Sequence, residues 1–369
     1  MKKFSALILI ITSLLLLVSC GEAEYPPVES TDIEAQTVMT VSIENEKYNV
    51  KYELYRALFL NLRETVDGGD KTIWTSENKA QYINQIDEMI KSRAVDIYSV
   101  LHCAKKVGID PYSSEFNTAV EEFISASVEG GYYDEQPIEG FGGDYQKYLE
   151  SLKKMNLNYS VQDLLLRYSL ASEKLYEYYA GYMSGEFVEE SVQGKLEYTK
   201  DDVSNFYNSN DCVRVIRAYL PKAYFSRNRA EEIRNTIIEK ANYGNDDVIN
   251  YIIGITSTAA SDIQNGEIIG KHNLDSVYYG ELESAAFELA YFEVSNVIEI
   301  STGYDDGYVI LYKIAKTSDH FDACYDSTTA IYVQNEIGKI IDTAAAQMLE
   351  SITHSSILET LDRSAISMD

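Results

Sequence analysis

The sequence predicts an α+β protein in which helical segments flank a compact α/β stretch. Three observations predict it. Apolar residues recur at helical spacing from Leu54 to about Met183, and again from Thr328 to Leu349. Between these segments the composition changes, and Val213-Arg214-Val215-Ile216-Arg217-Ala218-Tyr219-Leu220 and Tyr308-Val309-Ile310-Leu311-Tyr312-Lys313-Ile314 carry the β-branched and aromatic content of strands. Hydrophobic residues make up 45% of the 369, too many for a disordered chain and enough for more than one domain.

The elements follow in chain order. Met1-Lys2-Lys3 is basic, Phe4 to Val18 is an apolar run, and Leu17-Val18-Ser19-Cys20-Gly21 closes it. A membrane-spanning helix needs about 20 apolar residues, so the run is short for an anchor and fits a signal peptide over residues 1–19. Its end resembles a bacterial lipobox, which implies acylation of Cys20 and a lipid anchor. Residues 20–36, with Pro26, Pro27 and several carboxylates, form an acidic tether. Val38 to Ile43 alternates as a strand, Glu44-Asn45-Glu46 turns, and Lys47 to Val50 returns. A helix runs from about Lys51 to the breaker Asp67-Gly68-Gly69-Asp70. The next is capped at Thr75 or Ser76 and stops at Gly108, which allows a left-handed backbone. Ser113 or Ser114 caps a third helix, and the glycine-rich residues 129–144 read as a loop. Tyr145 to Leu157 is helical, and Ser160-Val161-Gln162-Asp163 is a capping box opening a helix to about Met183. Thr199-Lys200-Asp201-Asp202 is a second box before a short helix over Val203–Asn208. Beyond the strand at Val213, Arg227 to Ala241 and Glu281 to Leu289 read as helices, then the strand at Tyr308 and the closing helix from Thr328. The domains so defined are residues 37–200, a helical segment; 201–316, the α/β unit; and 317–369, helices that return to the first segment.

A formal net charge of −28 repels phosphate backbones, which excludes nucleic acid as a partner. Beyond Cys20 three cysteines remain, Cys103, Cys212 and Cys324, with no CxxC spacing; they indicate no disulfide framework and read as small buried thiols, with one bridge between two of them as the alternative. His102, His272, His320 and His354 are scattered without metal-ligand spacing, so no metal and no cofactor are expected. Tyrosine is abundant, 31 residues against 11 Phe. The stripe of Tyr168, Tyr176, Tyr178, Tyr179 and Tyr182 suits half-buried helix faces; a peptide-binding surface is the other reading of so many phenol rings.

Three stretches carry a more specific likeness. They are Val41-Ser42-Ile43-Glu44-Asn45-Glu46-Lys47-Tyr48; Ala104-Lys105-Lys106-Val107-Gly108-Ile109; and Gly266-Glu267-Ile268-Ile269-Gly270 followed by Leu282-Glu283-Ser284-Ala285-Ala286-Phe287-Glu288-Leu289 and Glu293-Val294-Ser295. With the lipobox, their order over nearly the whole mature chain resembles the PrsA-type foldase lipoproteins and their SurA-type relatives. That resemblance implies a helical chaperone domain built from both ends of the chain, with a parvulin-like domain inserted. Parvulin domains catalyse rotation about X–Pro bonds, against a barrier of about 18–20 kcal/mol. The family's centre is a pair of histidines with an Asp or Cys, beside an apolar proline pocket. Here the histidine positions fall on Arg217 and Val309, and the Asp/Cys position falls near Ala259, leaving Ser261 and Asp262 close by as catalytic candidates. The pocket positions fall on Tyr278, Leu282 and Phe287, with Leu282 expected at the rim and Phe287 in the core. Arginine stays charged and accepts no hydrogen bond, and valine has no polar group.

The resemblance therefore implies a lipid-anchored, extracytoplasmic folding chaperone. Its partners are unfolded or partly folded exported proteins, and its parvulin-like domain keeps a peptide surface at Arg217, Tyr278, Leu282, Phe287 and Val309 but not the catalytic pair. Two alternatives stand beside it. One is an active peptidyl-prolyl isomerase. The other is a transporter's substrate-binding lipoprotein, which predicts two α/β lobes; the helix-rich residues 51–183 argue against it.

Overall fold

The computed structural model describes residues 25–67, 71–75, 77–133, 136–183, 191–256, 258–271, 276–301, 306–363 and 366. The leader and Cys20 lie outside them. The chain forms two compact units: the residues up to Tyr178 together with Ile340–Asp369, and Tyr179–Lys339.

The first unit begins with a hairpin. β1 (Thr37–Ile43) pairs antiparallel with β2 (Glu46–Lys51), and Glu44 turns the chain at φ 53°. Two helices pack on each other behind it. α1 (Tyr52–Asp67) buries Leu54, Tyr55 and Phe59, and α2 (Lys79–Lys106) buries Ile83, Ile86, Ile90, Ala94 and Leu101 along one stripe. α2 starts later than its sequence suggests. Its first flanking residue is Asn78, whose side chain makes no cap bond, while Ser76 lies outside the described residues. Its end is as expected: Gly108 sits at φ 89° and its N–H bonds the Lys105 carbonyl at 3.0 Å.

Ser113 caps α3 (Ser114–Glu129) by accepting from the Phe116 N–H. The glycine-rich stretch after it is not a plain loop, for β3 (Gly131–Tyr133) and β4 (Gln136–Ile138) pair there through main-chain groups that glycine does not hinder. α4 (Tyr145–Lys154) follows Asp144 as cap, and α5 (Tyr159–Ala180) ends the segment. The capping box expected at Ser160 does not form. Asn158 instead accepts from the Val161 N–H at 2.9 Å, because the Ser160 hydroxyl donates to the buried Glu53 carboxylate at 2.7 Å.

In the second unit a small hairpin, β5 (Gly181–Met183) with β6 (Ser191–Gln193), precedes α6 (Lys200–Asn208). Here the capping box is complete: Thr199 and Asp202 satisfy each other's backbone N–H. The chain then runs β7 (Cys212–Pro221), α7 (Arg227–Ala241), α8 (Asn245–Ile255), α9 (Ala260–Asn265), β8 (Glu267–Gly270), α10 (Ser276–Glu288), β9 (Ile298–Ser301) and β10 (Asp306–Ile314). The four longer-range strands form one antiparallel sheet in the order β8-β7-β10-β9. α7, α8 and α9 cover one face through Ala230, Ile233, Ile237, Val248, Ile252 and Ile263. α10 covers the other through Leu282 and Ala286. α8, α9 and β8 were not legible from periodicity, being short elements with one or two buried side chains per face. α11 (Ser318–Ala323) and the start of α12 (Tyr325–Glu350) close the unit. They belong with it rather than with separate closing helices, since Phe206, Tyr207, Cys212, Ile268, Phe321 and Ile331 share one buried cluster.

From Ile340 the chain is again part of the first unit. β11 (Thr353–His354) adds to β1 and makes the sheet order β11-β1-β2, and α13 (Ser356–Thr360) follows. Met348 and Leu358 are buried, and Arg363 pairs with Asp87 of α2. Cys103, Cys212 and Cys324 are free thiols, and burial pushes Cys212 up to about 12. No helix among the described residues is long and apolar enough to cross a membrane.

Two outcomes follow. Met348 is enclosed, so Met348→Ala should lower stability by roughly 2–5 kcal/mol in urea unfolding, a cost that a loosely attached C-terminal tail would not show. Glu173 on α5 is 2% exposed, with one carboxylate oxygen lacking a hydrogen-bond partner among the described residues. Burial first, then the Glu177 carboxylate, pushes its carboxyl up to about 7. The folded state keeps this proton after the unfolded state has lost it, so stability falls as pH rises from the ordinary carboxylate range through about 7. Glu173→Gln should therefore gain roughly 1–3 kcal/mol over the natural protein at pH about 8 and nothing at pH about 4, read by urea unfolding at both.

Candidate functional site

Alternation along β7 sends Val213, Val215, Arg217 and Tyr219 to the face covered by α10, and Ile216, Ala218 and Leu220 to the other. Across the ladder, Arg217 stands opposite Leu311 and Tyr219 opposite Val309. Gly307 makes room for the Tyr219 ring, for a Cβ there would meet Tyr219 Cε2 at 2.5 Å. Four of the five positions assigned to peptide binding thus share this side of the sheet: Arg217, Leu282, Phe287 and Val309. Tyr278 lies on α10, but its side chain is outside the described residues.

The face is closed where the sequence expectation opened it. Val309 is 0% exposed and Leu282 is 5% exposed, both in one core cluster with Val215, Ala286, Ile298 and Ile300. Leu282 is therefore core and not rim. The turn of α10 explains the exchange: Leu282 and Ala286, four residues apart, point to the sheet. Phe287, one residue on, is left half-buried at the flank, with the Lys271 ammonium 5.2 Å from its ring centre. Arg217 reaches outward to Glu267, Nε to Oε2 at 3.0 Å.

Ser261 and Asp262 do not join this face. α9 packs by Ile263 into the cluster on the opposite side of the sheet, and both side chains are exposed there, the Ser261 hydroxyl 3.4 Å from Asp262 Oδ1. None of the described histidines reaches the α10 face either. His320 is buried under the opposite side with its Nδ1 2.8 Å from the Tyr207 hydroxyl, and burial, then Arg214, lowers its pKa to about 4. His102 and His354 belong to the first unit, and His272 lies outside the described residues.

The first unit holds a second site, which sequence reasoning missed. An open cavity of about 490 Å³ lies among β2, the end of α2, the turn at Asp110-Pro111-Tyr112 and the start of α5. Tyr48, Tyr98 and Tyr112 line it with Leu54, Leu101, Val161 and Leu164. Gly108 builds its far wall: after the left-handed turn, Tyr112 donates its N–H to Asp110 Oδ1 at 3.0 Å. Pro111 gives its carbonyl to Arg167 Nη1 at 2.8 Å, and the Arg167 guanidinium lies 5.1 Å from the Tyr112 ring centre. Tyr112 is nonetheless 61% exposed.

Charge around the cavity is unevenly committed. Asp163 receives both Nε and Nη2 of Arg167, at 2.8 and 2.9 Å. Glu53 accepts from Ser160, Asn158 and Ser30. Glu46, beside the cavity, accepts from Lys105 and Tyr48, which hold its carboxyl down at about 2. Lys105 is thereby occupied, and Lys51 lies 3.7 Å from Glu53. Lys47 has no partner among the described residues. Among the described residues the arrangement offers phenol edges, aliphatic walls, carboxylates already held by neighbouring donors and one uncommitted cation. The abundance of tyrosine was the trace of it in the sequence, but residues from Lys47 to Leu164 converge only in the fold.

No protein-family model matches the chain, and no curated protein matches it. Among solved structures it is similar to the foldase protein PrsA from Streptococcus pneumoniae str. Canada MDR_19A, at 16% identity and TM-score 0.28, over 72% of this chain and 88% of that one. It is also similar to PrsA from Bacillus subtilis, at 12% identity and TM-score 0.23, over 74% and 87%. A third similar structure is the foldase protein PrsA from Lactococcus lactis, at 12% identity and TM-score 0.22, over 88% and 96%.

The enclosure of Leu282 and the flank position of Phe287 give an ordered expectation. Leu282→Ala should cost about 2–5 kcal/mol, Phe287→Ala clearly less, and Arg217→Ala at most about 1 kcal/mol because its ion pair faces solvent. Hydrogen exchange of the β10 amides reads all three.

Proposed function

We propose that this chain is an extracytoplasmic folding chaperone of the PrsA/SurA type, held to the membrane by lipid on Cys20, with a parvulin-like unit that serves as scaffold and not as an isomerase. The observation that carries the proposal is the open, tyrosine-lined cavity of the first unit. Unfolded exported segments expose apolar and aromatic side chains. Tyrosine walls give such side chains contact area at low entropic cost while the hydroxyls stay usable to water or to a passing backbone. No rigid, single-ligand geometry is needed for brief holding.

Two further observations support it. The α10 face of the second unit presents Val309 and Leu282 as enclosed hydrocarbon, and the Arg217 guanidinium on that side is turned outward to Glu267. A net charge of −28 keeps the carrier soluble beside its aggregating clients and repels nucleic acid. The leader ending Leu17-Val18-Ser19-Cys20 supports the location.

In the test, the mature protein is added to a refolding client prone to aggregate, and separately to a proline-containing peptide in a cis/trans assay. Suppressed aggregation with prolyl isomerisation at the uncatalysed rate, tens to hundreds of seconds, is the expected pair of results. Substantial isomerase turnover would return the second unit to the enzymes, and failure to suppress aggregation would remove the chaperone assignment. Cys20→Ser should move the protein out of the membrane fraction.

A further inference from the structure

β2 is an edge strand, since the sheet order is β11-β1-β2. Its outer edge lines the tyrosine cavity through Lys47, Tyr48 and Asn49. In an antiparallel pair, opposed residues alternate between those that exchange backbone hydrogen bonds and those whose N–H and C=O point outward. Ser42, opposite Lys47, directs its N–H to the Ser351 hydroxyl at 2.7 Å and accepts from it on its carbonyl. The Ser42–Lys47 pair is therefore of the outward kind, and Lys47 turns its own N–H and C=O away from β1. Asn49, two residues on, does the same, and the Tyr98 hydroxyl donates to its carbonyl at 3.1 Å. The Lys47 N–H, the Lys47 carbonyl and the Asn49 N–H have no partner among the described residues.

From this edge we infer that the cavity takes an extended client segment as an added antiparallel strand on β2, patterned apolar–acidic–apolar. The inference rests on the chaperone assignment and gives it a substrate class. A client residue opposite Lys47 would donate to its carbonyl and accept from its N–H, as a hydrogen-bonded pair does. Directly opposed side chains lie on the same face of a sheet, so that residue stands beside the Lys47 ammonium, the one uncommitted cation at the cavity among the described residues, and a carboxylate fits there. Its two neighbours along the client point to the other face, where Tyr48 lies against Tyr98 with ring centres 5.3 Å apart and Leu101 continues the wall. Large apolar side chains fit there. The Tyr98 hydroxyl on Asn49 limits the ladder to a short stretch, which suits transient holding.

The test uses the full mature chain and a fluorescein-labelled hexapeptide, Gly-Ser-Phe-Glu-Val-Ser, followed by anisotropy. The natural protein binds it. N-methylation of the Glu amide, which removes the donor to Lys47, weakens binding at least about tenfold. N-methylation of the Val amide, which faces away from β2, changes it less than about twofold. Lys47→Glu weakens binding to the same degree and restores it toward the Gly-Ser-Phe-Lys-Val-Ser peptide. Lys47 is exposed, so the variant should keep the natural circular dichroism spectrum and melting temperature. Equal sensitivity to the two methylations, indifference to charge at residue 47, or no binding by the natural protein would overturn strand addition. If the natural protein suppresses client aggregation while any of these results holds, the chaperone assignment stands and the edge site falls. If it does not suppress aggregation, the assignment itself falls.

Discussion

Ser42, near the end of β1, gives its N–H to Ser351 and takes the Ser351 hydroxyl on its carbonyl, a contact between residues 309 positions apart. Beside it β11 completes one side of β1, Met39 facing His354 and Thr40 facing Thr353. The returning C-terminus thereby covers one edge of the small sheet and leaves the other, on β2, open. Much else depends on which edge is covered. The chain cannot finish this sheet until its last thirty or so residues arrive, so loop closure over the whole second unit precedes it, at an entropic cost that grows only slowly with loop length. The open edge then borders the tyrosine cavity, where α2, the Gly108 turn and α5 bring their side chains together.

The second unit answers a different constraint. The chain has 31 Lys plus Arg against 59 acidic residues, yet several cations are set inside this unit on helix ends. Lys313 donates to the Leu289 carbonyl at 2.7 Å beyond α10; Lys316 to Ser209 and Cys212 at 2.7 and 2.8 Å beyond α6; and the Arg214 Nε to Asn265 at 2.8 Å, at the end of α9. Each meets the unsatisfied carbonyls and the negative end of a helix. Burial lowers both lysines below their usual range, and the carbonyls offset part of that cost. Cations held this way brace a framework. Together with the enclosed Val309 they describe a unit built for rigidity, while the accessible cavity sits in the other unit.

Local patterns in the sequence carried the long elements. The helix Arg227–Ala241 has the bounds its periodicity predicts, and the Thr199–Asp202 box forms because nothing nearby competes for its hydroxyl. The matching box at Ser160 failed because a buried carboxylate, Glu53, recruits that serine from 107 residues away. Periodicity could not see such a partner. The same holds for the site. The structure sets Arg217, Val309, Leu282 and Phe287 on one side of one sheet, because strand alternation and helix spacing are local properties, but it exchanges the expected rim and core places of Leu282 and Phe287. Whether that side is open depends on how closely α10 lies on the sheet, which is not local. The cavity depends on four elements at once, so its tyrosines looked like ordinary helix faces.

The central claim is that clients are held at the first unit's cavity and not on the α10 face of the second. Site-directed photocrosslinking tests it most directly, with benzoylphenylalanine placed at Tyr112 in one protein and at Phe287 in another, each irradiated with an unfolded client. Both side chains retain solvent exposure, so the probes should be tolerated. The account predicts strong client adducts from position 112 and few from position 287. Adducts concentrated at 287, with little at 112, would contradict it.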